Sequence, residues 1–174
     1  MTWVFGYGSV IWRPGFPYIE RCRGILPGYE RRFWQGSPDH RGTPESPGRV
    51  VTLVPKDGAQ CEGVAFLVRP GQVDAVVAEL DIRESGGYTR VQRRVKLSDR
   101  RHVEAIVYIA AAENPSYLGP AELTEMAEHI KDSEGPSGRN IDYVLNLRDI
   151  LEAEEIVDLH VRELADALSG SSTH

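Results

Sequence analysis

Trp3-Val4-Phe5-Gly6-Tyr7-Gly8-Ser9-Val10 decides how the chain begins to fold. Three apolar residues in a row, stopped by Gly6 and Gly8 and later by Pro14, predict a short buried strand that ends in a glycine turn. Two glycines around an aromatic residue allow close approach of a ligand to the backbone. A turn of this kind also aims several N–H groups at an anion or a developing oxyanion. Three familiar glycine motifs do not fit. GxGxxG requires glycine where the chain has Ile11, a P-loop requires a Gly-Lys-Ser/Thr that is absent, and the Gly-x-Ser-x-Gly elbow has a different spacing. From this stretch alone, a plain structural turn and a ligand-binding loop stand as alternatives.

Outward from this strand, the first half of the chain reads as β and the last third as α. Arg31 to Gln35, Arg49 to Pro55 and Gly63 to Arg69 are further strand segments, separated by Gly/Pro/Asp-rich turns. Gln72 to Asp81 switches to helical period, with Val73, Val76, Val77 and Leu80 on one face. Tyr88 to Leu97 alternates apolar and basic side chains, and Val103 to Ala110 reads as a more fully buried strand. Helices follow from Pro120 to Ile130, Asn140 to Leu151 and Glu154 to Leu168. This order predicts an α+β fold with an antiparallel or mixed sheet, in one domain over residues 1–168 with a flexible polar tail at 169–174.

Composition agrees with that reading. A chain of 174 residues with 41% hydrophobic and 26% charged residues is ordinary for a globular domain and excludes a disordered, collagen-like or coiled-coil chain. The longest uncharged apolar run, Ala105 to Ala112, is too short to span a bilayer, so no membrane partner is expected. The first residues lack the basic start and apolar stretch of a signal peptide, and Cys22 and Cys61 are too few for a disulfide framework. Both point to a cytoplasmic location. The net charge of −6 is unevenly spread: residues 1–60 hold 8 Lys/Arg and 5 Asp/Glu, whereas residues 120–174 hold 4 and 13. The acidic C-terminal part argues against nucleic acid as a partner, and the basic first third is the natural side for an anionic ligand.

Few side chains are spaced for chemistry. Asp39-His40 lies in the polar loop Gln35 to Glu45, but neighbours in sequence need not face each other. Glu84 follows the helix ending near Asp81 and precedes Gly86-Gly87, which is a good place for a positioned base; a solvated charge is the alternative. His40, His102, His129, His160 and His174 fall in no HxxxH or HxH pattern, so no metal site is expected.

The fragments taken together resemble the ChaC family of glutathione-specific γ-glutamylcyclotransferases. The resemblance is carried by Val4 to Trp12, Arg31 to Ser37, Asp39 to Gly42, Pro47 to Leu53, Leu80 to Glu84 with Gly87-Tyr88, Tyr117 to Pro120, and Gly135 to Asn140 with Tyr143-Val144. Each is weak alone; seven in the same order over residues 2–165 are specific. The resemblance implies the γ-glutamylcyclotransferase-like fold, a small mixed β-barrel with packed helices. It also implies cleavage of glutathione into 5-oxoproline and cysteinylglycine without metal or organic cofactor. By motif matching, the γ-glutamyl-binding loop falls on Phe5, Gly6, Tyr7, Gly8, Ser9 and Val10, and the acid/base carboxylate on Glu84. Arg41 and Tyr143 are further candidates for substrate contact, each with a structural role as the alternative.

Two positions depart from the family pattern. Val10 stands where leucine is usual, and Glu62 stands before Gly63 where an aromatic residue is common. Glu62 bears on substrate preference only if it lines a pocket. The alternatives to glutathione cleavage are a cyclotransferase acting on other γ-glutamyl peptides or amines, and a non-catalytic γ-glutamyl-binding module.

Overall fold

The computed structural model describes residues 1–170. Strands β1 (Trp3–Gly6), β2 (Tyr18–Ser37), β3 (Gly48–Val68), β4 (Thr89–Leu97) and β5 (His102–Ile109) close into a barrel in the order β1-β3-β2-β4-β5. The helices are α1 (Ser9–Trp12), α2 (Val73–Arg83), α3 (Leu123–Lys131), α4 (Asn140–Ala153) and α5 (Leu159–Gly170), with a small hairpin of β6 (Glu134–Gly135) and β7 (Gly138–Arg139) before α4. The α+β class expected from the sequence is observed.

The chain divides into two compact units. Unit one comprises residues 1–30 and 53–111. There β1 pairs antiparallel with β3, Phe5 opposite Ala65, and parallel with β5, Trp3 opposite Ala105. β4 pairs antiparallel with β5 along its full length, from Thr89 opposite Ile109 to Lys96 opposite His102. The parallel β1–β5 contact makes the barrel mixed. Val4, Phe5, Phe66, Leu67, Val95 and Val107 are buried, as expected for strands with one face on a core. α2 buries Val76 and Leu80, one turn apart on the same side.

Unit two comprises residues 31–52 and 112–174. It holds the end of β2, the start of β3, the hairpin and α3 to α5. Met126 and Ile130 of α3, Val144, Leu147 and Leu151 of α4, and Val161, Leu164 and Leu168 of α5 are buried, at helical spacing. Phe33 packs edge-on against Tyr143 with ring centroids 5.9 Å apart. Asn140, fully buried, opens α4. Its side-chain oxygen accepts from the Arg49 N–H at 2.7 Å and its amide donates to the Arg49 carbonyl at 2.8 Å.

Four expectations are corrected. Residues 18–30, unassigned from sequence, belong to β2, and the two segments Arg49–Pro55 and Gly63–Arg69 form the single strand β3. Gly28 and Gly58 sit inside these long strands at φ of 85° and 79°, so the turn expected between Pro55 and Gly63 is a left-handed glycine within a continuous strand. The glycine turn is followed at once by the short helix α1. The last helix begins at Leu159, because Glu155 adopts φ of 59° and interrupts the helical path after α4. It runs to Gly170, so Ser169 and Gly170 are helical; the remainder of the expected tail, 171–174, lies outside the described residues.

Candidate active site

In unit one, β1 delivers the loop Phe5–Val10. Phe5, Gly6, Tyr7 and Gly8 are buried, and Ser9 and Val10 are half-buried. Glycine is required at position 6 by space: a Cβ there would lie 2.9 Å from Val10 Cγ1. The opposing Gly63 is tighter still, since its Cβ would lie 2.3 Å from the Gly6 carbonyl oxygen and 2.8 Å from the Phe5 ring. The Tyr7 hydroxyl is turned inward and donates to the Tyr108 carbonyl oxygen of β5. Gly8 precedes α1, with the Ile11 N–H donating to the Gly8 carbonyl at 3.0 Å. The turn therefore leads directly into α1.

Glu84 sits at the C-terminal cap of α2, where its N–H donates to the Leu80 carbonyl at 2.9 Å. Its side chain is 16% exposed, reachable yet sheltered. Beside it, Arg83 places Nε 3.7 Å from Glu84 Oε1. The same guanidinium donates to Ser9 Oγ at 2.9 Å, to the Arg13 carbonyl at 2.6 Å and to the Pro14 carbonyl at 3.1 Å. Glu84 and the glycine loop, 74 or more positions apart in sequence, are thus bridged by one side chain.

A second connection runs through Tyr108. Its hydroxyl donates to Asp81 Oδ1 at 2.7 Å, and Asp81 Oδ2 lies 3.2 Å from Arg90. Burial, the hydrogen bond to Asp81 and the nearby negative charges of Asp81 and Glu84 all push the Tyr108 phenol above its ordinary pKa, against the opposing charge of Arg90. The phenol therefore remains a donor throughout the physiological range. An open cleft of about 460 Å³ runs along α2 and β4, past Val77, Asp81, Arg90 and Gln92. Neither Glu84 nor the loop Phe5–Val10 lines it. Glu62 is exposed to solvent.

Arg41 and Tyr143 meet in unit two. The Arg41 guanidinium lies 5.7 Å from the Tyr143 ring centroid and donates to the Arg139 carbonyl at 3.1 Å. The Tyr143 hydroxyl accepts from the Val51 N–H at 3.3 Å. Both side chains therefore hold loop and strand backbone in place. His40 contacts Ser137 Oγ at 3.2 Å and lies 3.8 Å from Asp39, with both side chains about half exposed. Among the described residues no three His, Cys, Asp or Glu side chains converge in a metal-binding group.

A family model described as ChaC-like protein matches residues 2–170. The chain belongs to the ChaC family. Among ChaC relatives, it is 42% identical over 172 residues to glutathione-specific gamma-glutamylcyclotransferase 1 of Danio rerio, covering 95% of this chain and 88% of that one. It is 42% identical to gamma-glutamylcyclotransferase 2-3 of Arabidopsis thaliana over 94% of this chain and 86% of the relative. A solved gamma-glutamyl cyclotransferase from yeast, described as specific to glutathione, superposes with a TM-score of 0.91 at 30% identity, over 99% of this chain and 97% of that one. The ChaC barrel with its packed helices is therefore the γ-glutamylcyclotransferase-like fold.

The sequence singles out the loop Phe5–Val10 and Glu84 as candidates and offers no role for Arg83, Asp81 or Tyr108. Arg83 carried a signal, since it stands directly before the candidate carboxylate at a helix end. Tyr108 carried none, because only the closure of β5 onto β1 brings its carbonyl to Tyr7.

Proposed function

We propose that this protein cleaves the γ-glutamyl bond of glutathione, releasing 5-oxoproline and cysteinylglycine, with Glu84 as the acid/base residue. The reading is carried by one observation: a sheltered carboxylate at the end of α2 stands beside Arg83, whose guanidinium also binds Ser9 of the glycine loop. Membership of the ChaC family and the printed activity of its relatives support the same substrate.

The chemistry asks for little more than this. The substrate's α-amine attacks its own γ-carbonyl carbon, a C–N bond closes the five-membered ring, and the original amide C–N bond breaks. No water is consumed. The amine begins as an ammonium and must lose a proton before it can attack, while the departing amide nitrogen must gain one. A single carboxylate performs both transfers in turn, as base and then as acid, and such catalysis supplies roughly 10² to 10⁴-fold. The turn Tyr7–Val10 offers donors to the substrate carboxylate or to the oxyanion. Holding amine and carbonyl together supplies the remaining advantage.

Arg41 and Tyr143 belong to the proposal as substrate contacts, each tested on its own by KM. Residues 1–168 are proposed to act as one catalytic domain. A cytoplasmic setting is proposed as well: no described helix is long and apolar enough to cross a membrane, and Cys22 and Cys61 form no disulfide. Incubation of the purified protein with glutathione, followed by assay of 5-oxoproline and cysteinylglycine, tests the function. Turnover of γ-glutamyl-alanine in preference to glutathione would move the reading to another γ-glutamyl substrate.

A further inference from the structure

We infer that Arg83 is a positioning residue that aligns the Ser9 hydroxyl and the Glu84 carboxylate for the same substrate; the inference rests on the function proposed above. A guanidinium is a rigid plane carrying five N–H donors. In Arg83, hydrogen bonds from that plane go to the segment that follows the glycine turn: Ser9 Oγ, the Arg13 carbonyl and the Pro14 carbonyl. The edge bearing Nε faces Glu84 at 3.7 Å. With its side chain only 24% exposed, the group is shielded enough for these contacts to hold it in one orientation.

The bond to Ser9 has a direction that matters. Arg83 can only donate, so Ser9 Oγ must accept. A hydroxyl has a single proton, and here that proton is left to point away from Arg83. Accepting a bond from a cation also polarises the O–H and makes it the stronger donor. Arg83 thereby sets Ser9 as a donor for an anionic oxygen of the substrate, while fixing the carboxylate beside it. Because one rigid plane governs both, loosening it displaces the proton acceptor from the substrate held by the loop, and a misplacement of about 1 Å costs on the order of 10²-fold in rate. Binding by the loop backbone is retained.

The test compares Arg83→Gln, Arg83→Lys, Ser9→Ala, Glu84→Gln and the double variant Arg83→Gln/Ser9→Ala, following 5-oxoproline release from glutathione, with folding checked by circular dichroism. Arg83→Gln is expected to lower kcat by about 10²-fold and to move KM by less than about threefold. Arg83→Lys keeps the charge but not the planar fork, and is expected to recover only part of the loss. The double variant is expected to be no more than about twofold slower than Arg83→Gln alone, since Ser9 acts through the same plane. A folded Arg83→Gln with kcat within about twofold of the parent, or with a raised KM alone, overturns the inference. So does strict additivity with Ser9→Ala. Should Arg83→Gln fail to fold, Arg83→Lys takes its place: full activity in the lysine variant overturns the inference and partial activity supports it. Undiminished turnover by Glu84→Gln removes Glu84 from the chemistry instead, and is a separate outcome from the loss of Arg83–Ser9 coupling.

Discussion

The Tyr7 hydroxyl donates to the carbonyl oxygen of Tyr108, a residue 101 positions further along the chain. Tyr108 in turn donates through its own hydroxyl to Asp81, three residues before Glu84 on α2. The glycine loop and the end of α2 are thus tied through one residue of β5, independently of Arg83. Tyr7→Phe removes the donor and leaves a buried carbonyl with one partner fewer, at a cost of about 1–3 kcal/mol. Urea unfolding of the parent and the variant measures it, and equal midpoints would show that the bond contributes nothing.

Glu84→Gln keeps shape and loses the proton acceptor. Turnover of glutathione is expected to fall by roughly 10² to 10⁴-fold, while glutathione still raises the melting temperature of the variant. A glutamine variant that releases 5-oxoproline at the parent's rate would exclude Glu84 as the acid/base.

Gly63→Ala probes the closeness of β1 and β3. The added methyl meets the Gly6 carbonyl at 2.3 Å and the Phe5 ring at 2.8 Å. One neighbour is backbone, so the strands must part. A loss of about 1–3 kcal/mol is expected, together with lower activity because Gly6 opens the loop proposed to bind substrate. Chemical denaturation reads the first effect and kcat/KM the second; an alanine variant unchanged in both would mean the barrel wall yields freely.

His160 makes stability depend on pH. Its Nε2 accepts from the Phe33 N–H at 3.1 Å, so the folded state needs the neutral ring. Burial, reinforced by Arg32 and Arg31 against the opposing charge of Asp158, pushes it down from 6.5 to about 4. The unfolded chain therefore binds a proton that the folded chain refuses. The stabilisation is complete above pH 6.5, falls as the pH drops, and is fully lost near pH 4; between pH 7 and pH 5 the loss is about 2 kcal/mol. Unfolding free energies of the parent and His160→Gln at the two pH values check this, the variant being expected to lose less. Equal losses would remove His160 as the cause.

Arg41→Ala is expected to raise KM for glutathione, because a guanidinium suits a carboxylate. The loss of its contact with Tyr143 costs about 0.5–1 kcal/mol. A variant with unchanged KM and this small destabilisation would leave Arg41 with a structural role alone.

Much of this was legible before the coordinates. The glycine-stopped run at Trp3–Gly6 and the helical periods at Val76–Leu80 and Val144–Leu151 act locally, and local signals survive folding. Gly58 reads as a turn from sequence because a left-handed residue serves equally well in a hairpin turn or inside a strand, and only the strands on either side decide between them. Glu84 is a candidate from its place between a helix end and two glycines, and the family resemblance gives it a role. What holds it could not be read: Ser9 lies 74 residues from Arg83, and no periodicity encodes that meeting.

The parallel pairing of β1 with β5 carries a consequence for assembly. Trp3 and Val4 find their partners at Ala105 and Ile106, so the first strand must wait for about a hundred further residues before its edge is covered. Contacts of such long range are closed late and slowly. The loop that follows β1 is pinned to the Tyr108 carbonyl of that same late strand, so a nascent chain shorter than this lacks the bond that holds Tyr7 in place. A newborn chain of this kind therefore completes its glycine loop only when its barrel closes.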